Sequence, residues 1–188
     1  MLKSFVKKRI IIIFSLLAML LLSSGFIAQQ LSSEQLEIEK LIKNAVNTTK
    51  SINQLPDQFL SNPNEKIPRQ VKEKMYEKIS FEFNKIYSSD SEILKRRIDS
   101  LKGTISWQES DNFRALGGGI KKVENLIINI NGNNATANVD ITSFVKIKES
   151  NGKIFTPEGS SHYKFNLVKE ENTWKISEEI FDVTSGAP

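Results

Sequence analysis

Residues 134–148 read NATANVDITSFVKIK, fifteen positions in unbroken alternation. Ala135, Ala137, Val139, Ile141, Ser143, Val145 and Ile147 fall on one side. Thr136, Asn138, Asp140, Thr142, Phe144, Lys146 and Lys148 fall on the other. Successive side chains of a strand point to opposite faces, so this is a strand with one apolar face turned to a core. Upstream, the β-rich run Val123 to Ile130 ends at Asn131-Gly132, a hairpin signal. Downstream, Asn151-Gly152 marks a second turn into a return strand that starts at Ile154 and Phe155 and is broken by Pro157 and Gly159. Tyr163, Phe165 and Leu167 alternate again, and a turn at 170–172 leads to a last strand with Trp174 and Ile176, ending near Phe181. The apolar parity of these strands predicts a concave inner face of Val139, Ile141, Val145, Tyr163, Phe165 and Trp174, extended by Ile147, Leu167 and Ile176.

Before the strands the period is helical. Ser32 with Gln35 forms a capping pattern, and Leu36, Leu41, Ile42, Ala45, Val46 and Thr49 share a face, so a helix is expected to about Asn53. Pro56, Pro63 and Pro68 punctuate a loop. Pro68 suits the first turn of a second helix, which runs to about Tyr87 with Val71, Met75, Ile79, Phe83 and Ile86 inward. Ser89 with Glu92 opens a third, shorter helix carrying Ile93, Leu94, Ile98 and Leu101. After Gly103, Ile105 and Trp107 suggest a short strand, then an irregular stretch through Gly117-Gly118-Gly119. Helices followed by an antiparallel meander give an α+β fold, three helices packed on one face of a curved sheet.

The three-helix start, the hairpins at Asn131-Gly132 and Asn151-Gly152, and the closing Asn172-Thr173-Trp174-Lys175-Ile176 resemble the nuclear transport factor 2-like superfamily. The resemblance covers roughly residues 32–182 as one domain, with 183–188 as a tail. It implies a cystatin-like cone whose pocket, where present, lies between the helices and the concave sheet face. Members of the superfamily include enzymes, binding modules and membrane-anchored parts of secretion or conjugation machinery, so the fold does not choose among them.

The N-terminus addresses location. Lys3, Lys7, Lys8 and Arg9 account for the whole surplus of 26 basic over 22 acidic residues. Ile10 to Leu22 follows, apolar except for Ser15. A basic stretch followed by an apolar one is an export segment. Residues 10–28 would span about 28 Å as a helix, close to one hydrocarbon core. The expectation is a single-pass anchor that holds the domain at the outer face of the cytoplasmic membrane. The alternative is a signal peptide cleaved after Gly25, releasing a secreted domain. The chain has no cysteine, which excludes disulfides, thiol catalysis and a lipid-modified cysteine.

Few residues invite chemistry. Tyr163 is the polar tip on the expected inner face. His162, the single histidine, alternates to the outer face with Lys164. Glu109 and Asp111 lie in the irregular stretch and Asp182 near the end of the last strand. No ligand cluster has metal spacing, and the triple glycine lacks the Lys-Ser or Lys-Thr pair and the following helix of a phosphate loop. The balanced charge beyond residue 9 argues against nucleic-acid binding. No cofactor and no metal are expected, and the inner face is expected to be a filled core.

The leading expectation is therefore a membrane-tethered, non-enzymatic domain that acts by protein–protein contact or self-association. Its contact surface would be the outer sheet face at Phe144, His162, Lys164 and Val168, with Asp140 and Thr142. The alternative is a small apolar ligand bound inside the cone and oriented by Tyr163. An isomerase or hydrolase of the same fold would require an ionisable group in that pocket.

Overall fold

The computed structural model describes residues 31–185. The export segment at 10–28 and the cleavage point after Gly25 lie outside the described residues. Among the described residues, no helix is long and apolar enough to cross a membrane.

Helix α1 spans Ser33–Ser51, with Glu34 in its first turn and Lys50 in its last, each complementing the helix dipole. Its buried stripe is Ile38, Ile42, Ala45 and Val46. Leu36, expected on that stripe, is 43% exposed, because Ile38 takes the inward position of the first turns. After a loop with one short 3-10 turn at Asp57–Phe59, helix α2 spans Arg69–Ile86. Pro68 precedes it in an extended conformation, and Met75, Ile79, Phe83 and Ile86 are buried. The chain leaves α2 through a bridge between Tyr87 and Ile176 and a 2.9 Å bond from the Ser88 N–H to the Ile176 carbonyl.

Helix α3 spans Glu92–Ser110, with Ser91 rather than Ser89 at the cap position. The expected strand at Ile105 and Trp107 is the end of this helix instead. Ile98, Leu101, Ile105 and Gln108 keep helical spacing and pack inward, whereas Trp107 is exposed. Gly103 costs such a helix only about 1 kcal/mol and does not end it. The stop comes at Asn112, whose φ of 51° is the left-handed conformation that asparagine tolerates.

The sheet consists of β1 (Arg114–Asn131), β2 (Asn134–Lys148), β3 (Ile154–Phe155), β4 (Glu158–Glu170) and β5 (Thr173–Ser185). It is antiparallel in the order β1-β2-β4-β5, and β3 pairs with the end of β2. Residues 183–185, expected in a tail, continue β5. Strand β1 starts at Arg114, earlier than expected, and absorbs the triple glycine through register shifts that also bend it further along. Gly118 is needed there: a Cβ would lie 2.4 Å from the Phe144 carbonyl oxygen and 2.8 Å from that of Lys50. Beside it, the Ile120 N–H donates to Asn47 Oδ1 at 2.9 Å, so the end of α1 is fastened to β1.

The concave parity is as read. Ala135, Ala137, Val139, Ile141 and Ser143 of β2 are buried, as are Tyr163, Phe165 and Leu167 of β4. Fully burying one such large apolar side chain contributes about 1.5–3 kcal/mol. Arg114 secures the proline-rich loop. Its buried guanidinium donates to the carbonyls of Phe59, Asn62, Glu65, Gln108 and Phe113.

Candidate ligand site inside the cone

Strand β5 carries the residue that changes the functional reading. Its pairing with β4 shifts by one residue: Leu167 faces Ile176 and Asn166 faces Glu178, leaving Ser177 extra. The Ser177 hydroxyl donates to the Asn166 carbonyl at 3.1 Å. Without this bulge, the alternation of Trp174 and Ile176 would continue through Glu178 and Ile180. With it, Glu179 lies opposite Phe165 and Phe181 opposite Tyr163, both on the concave face. Glu179 is 7% exposed.

The buried carboxylate is fully engaged. Arg97 of α3 donates through Nη2 to Oε1 and through Nε to Oε2, the latter at 3.2 Å. The Tyr87 hydroxyl donates to Oε2 at 2.6 Å. Burial is the strongest single influence on Arg97 and lowers its pKa, but Glu179, with Tyr87 and Tyr163, together outweigh it and hold the pKa above the ordinary value. Burial, reinforced by Glu179, pushes both Tyr87 and Tyr163 upward, so both phenols are neutral donors. Tyr163 is fixed by stacking, with ring centroids 5.5 Å from Phe165 and 5.4 Å from Phe181.

These groups border two cavities that share Thr49 and Lys50 in their walls. An inner chamber of about 130 Å³ is lined by Val46, Arg97, Ser161, Tyr163, Glu179 and Phe181. An outer trough of about 410 Å³ runs past Asn53, Leu101, Thr104, Phe113, Val145 and Ile147. Among the described residues, Lys50 makes no hydrogen bond or ion pair. Burial first, and the like charge of Arg97 second, lower its pKa, with Glu179 offsetting part of the shift. The side-chain oxygen of Asn53 is also buried without a hydrogen-bond partner among the described residues. A larger surface hollow, about 700 Å³ between Gln54–Phe59 and α2, brings together lysines but no carboxylate.

Of the expected lining residues, Tyr163 borders the chamber and Val145 and Ile147 the trough. Val139, Ile141, Phe165 and Trp174 pack into the core instead. His162 is on the outer face with Nδ1 2.7 Å from Asp140 Oδ1, and Asn125 donates to the other Asp140 oxygen at 2.6 Å. Asp182 pairs across the strands with His162, on that outer face. Glu109 is taken up by Lys72. Asp111 is exposed at a separate surface hollow. None of these three acids enters the cone. Phe144, the expected centre of a contact face, is half-buried beside Gly119 rather than protruding. Among the described residues, no group of three or more acidic or histidine side chains is placed to hold a metal.

The missed residues had signals. Arg97 is four residues from both Ile93 and Leu101, on the inward stripe of α3. Glu179 begins the alternating series Glu179, Phe181, Val183, out of phase with Trp174 and Ile176.

No protein-family model and no curated protein matches the sequence. Solved structures do match in shape. A hexachlorocyclohexane dehydrochlorinase from Novosphingobium barchaimii aligns over 83% of this chain and 90% of its own, at 9% identity and a TM-score of 0.51. A second dehydrochlorinase of that kind aligns over 83% and 88%, at 10% identity and 0.49. A cystatin-like protein from Nostoc punctiforme aligns over 82% and 95%, at 13% and 0.42. The chain therefore shares the fold of the first of these, the cone-shaped α+β arrangement expected of a nuclear transport factor 2-like domain. The expectation of a non-enzymatic domain does not stand. It rested on an inner face without ionisable groups, whereas the cavity holds Lys50, Arg97 and Glu179, in a fold shared with an enzyme.

Proposed function

We propose that this domain takes up a small molecule in the cone and that the polar groups around the cavity orient it. The single observation that carries the reading is the chamber in which Tyr163, Lys50 and the Arg97–Glu179 pair converge. A cavity of about 150 Å³ accommodates a benzene-sized body, so the inner chamber fits an apolar group of about that size. Tyr163, neutral and fixed by its ring neighbours, is the donor that orients a ligand oxygen. The basic and apolar stretches at residues 3–28 support placing this pocket outside the cytoplasm.

Benzyl alcohol serves as the neutral probe. It raises the melting temperature of the wild type, and Tyr163→Phe at least halves the rise. No rise in the wild type contradicts the reading, as does an undiminished rise in Tyr163→Phe.

A further inference from the structure

We propose that the ligand is a small organic acid whose carboxylate is held by Lys50, the cation that borders both chamber and trough. This rests on the cavity reading above and names the chemical class that fits it. The first argument is charge. Among the side chains lining the two compartments, the ionisable groups are Lys50, Arg97, Glu179 and the phenol of Tyr163. Arg97 and Glu179 neutralise each other at hydrogen-bond distance. Lys50 is left as the surplus cation: Glu179 acts on it at a distance, but among the described residues it has no hydrogen bond or ion pair of its own. A partly buried cation gains from an opposite charge far more than an exposed one does, because the surrounding medium screens it less.

The second argument is position. Lys50 belongs to the last turn of α1, and that turn is pinned. Asn47 accepts the Ile120 N–H, and β1 passes so close that Gly118 has no room for a side chain beside the Lys50 carbonyl. The ammonium-bearing stem thus starts from a fixed backbone and borders both compartments. Size supplies the third argument. A carboxylate on Lys50 leaves the inner chamber for a body of about a benzene ring, with Val46, Tyr163 and Phe181 as its apolar walls and the mutually neutralised Arg97–Glu179 pair beside them. The trough can take a longer substituent on the other side. Phosphates fit less well, because a dianion would need a second unpaired donor and Arg97 is already committed to Glu179.

Titration calorimetry with benzoate and its neutral counterpart benzyl alcohol tests the proposal on wild type, Lys50→Met and Lys50→Arg. The methionine keeps the apolar stem and removes the charge; the arginine keeps the charge. Wild type binds benzoate at least tenfold more tightly than benzyl alcohol. Lys50→Met loses at least tenfold for benzoate and keeps its affinity for benzyl alcohol, which also shows that the variant is folded. Lys50→Arg retains benzoate binding to within about fivefold, as a relocated positive charge should. If benzyl alcohol binds but benzoate gains nothing, or if Lys50→Met leaves benzoate unaffected, the acid class is wrong while the cavity reading stands. If neither probe binds the wild type, both proposals fall.

Discussion

Arg97 and Glu179 meet inside the cone from positions 82 residues apart, one on the inward stripe of α3 and the other turned inward by the bulge at Ser177. Their side chains are 18% and 3% exposed, so the pair is withdrawn from water and joined by Tyr87. Burying two charges is costly unless their geometry and remaining hydrogen bonds compensate, and here both do. The pair is a neutral wall for the chamber and leaves Lys50 as its net charge.

Glu179→Gln keeps the shape and removes the counter-charge, so Arg97 is left buried and unpaired. The expected loss of stability is about 3 kcal/mol, read from urea unfolding. A loss below about 1 kcal/mol would mean that solvent screens Arg97 as it does a surface ion pair.

Ile180 tests the bulge. It is half exposed and pairs with Lys164 on the outer face. Ile180→Gln should change stability by no more than about 0.5 kcal/mol. Uninterrupted alternation would instead bury this side chain, and the same substitution would then cost about 2 kcal/mol.

That bulge also marks where legibility ended. The parity of 134–148, the hairpin turns and the helix stripes are local periodicities, and they yielded the cone and its concave face. A one-residue bulge leaves no mark of its own when the residues around it are Ser177, Glu178 and Glu179. Ile180 falls in phase with Trp174 and Ile176, so uninterrupted alternation is consistent with the sequence and would turn Glu179 outward. The end of α3 failed for a related reason: Gly103 looked like a stop, whereas the stop depended on Asn112 adopting a left-handed backbone. Lys50 resembled an ordinary helix-terminal lysine, because its burial depends on β1 folding over α1.

Gly118→Ala should destabilise the domain by about 1–3 kcal/mol, because the added methyl meets two backbone oxygens that cannot rotate away. Gly103→Ala should do the opposite and stabilise α3 by a few tenths to 1 kcal/mol, since nothing lies within 4 Å of its Cβ position. Thermal unfolding of the two variants side by side checks both signs.

Alkaline pH separates Lys50 from the phenols. The folded pKa of Lys50 lies below its ordinary 10.5, so over the window between the two the unfolded chain binds more protons, and stability rises with pH. Tyr87 and Tyr163, raised above their ordinary 10.0, act in the reverse sense: stability falls above that pH as the unfolded phenols ionise. Comparison with Lys50→Met cancels the phenols. The wild type should gain on the variant as pH rises toward 10.5, the ordinary lysine value. A difference independent of pH would place the ammonium in bulk water.

The most direct test is an amide NMR titration of the wild type with benzyl alcohol, which reports where a small molecule settles regardless of its charge. The account predicts saturable shifts centred on Val46, Thr49, Ser161, Tyr163 and Phe181. Shifts confined to the surface hollow at Gln54–Phe59 and Val71–Lys78, or no saturable shifts at all, would contradict it.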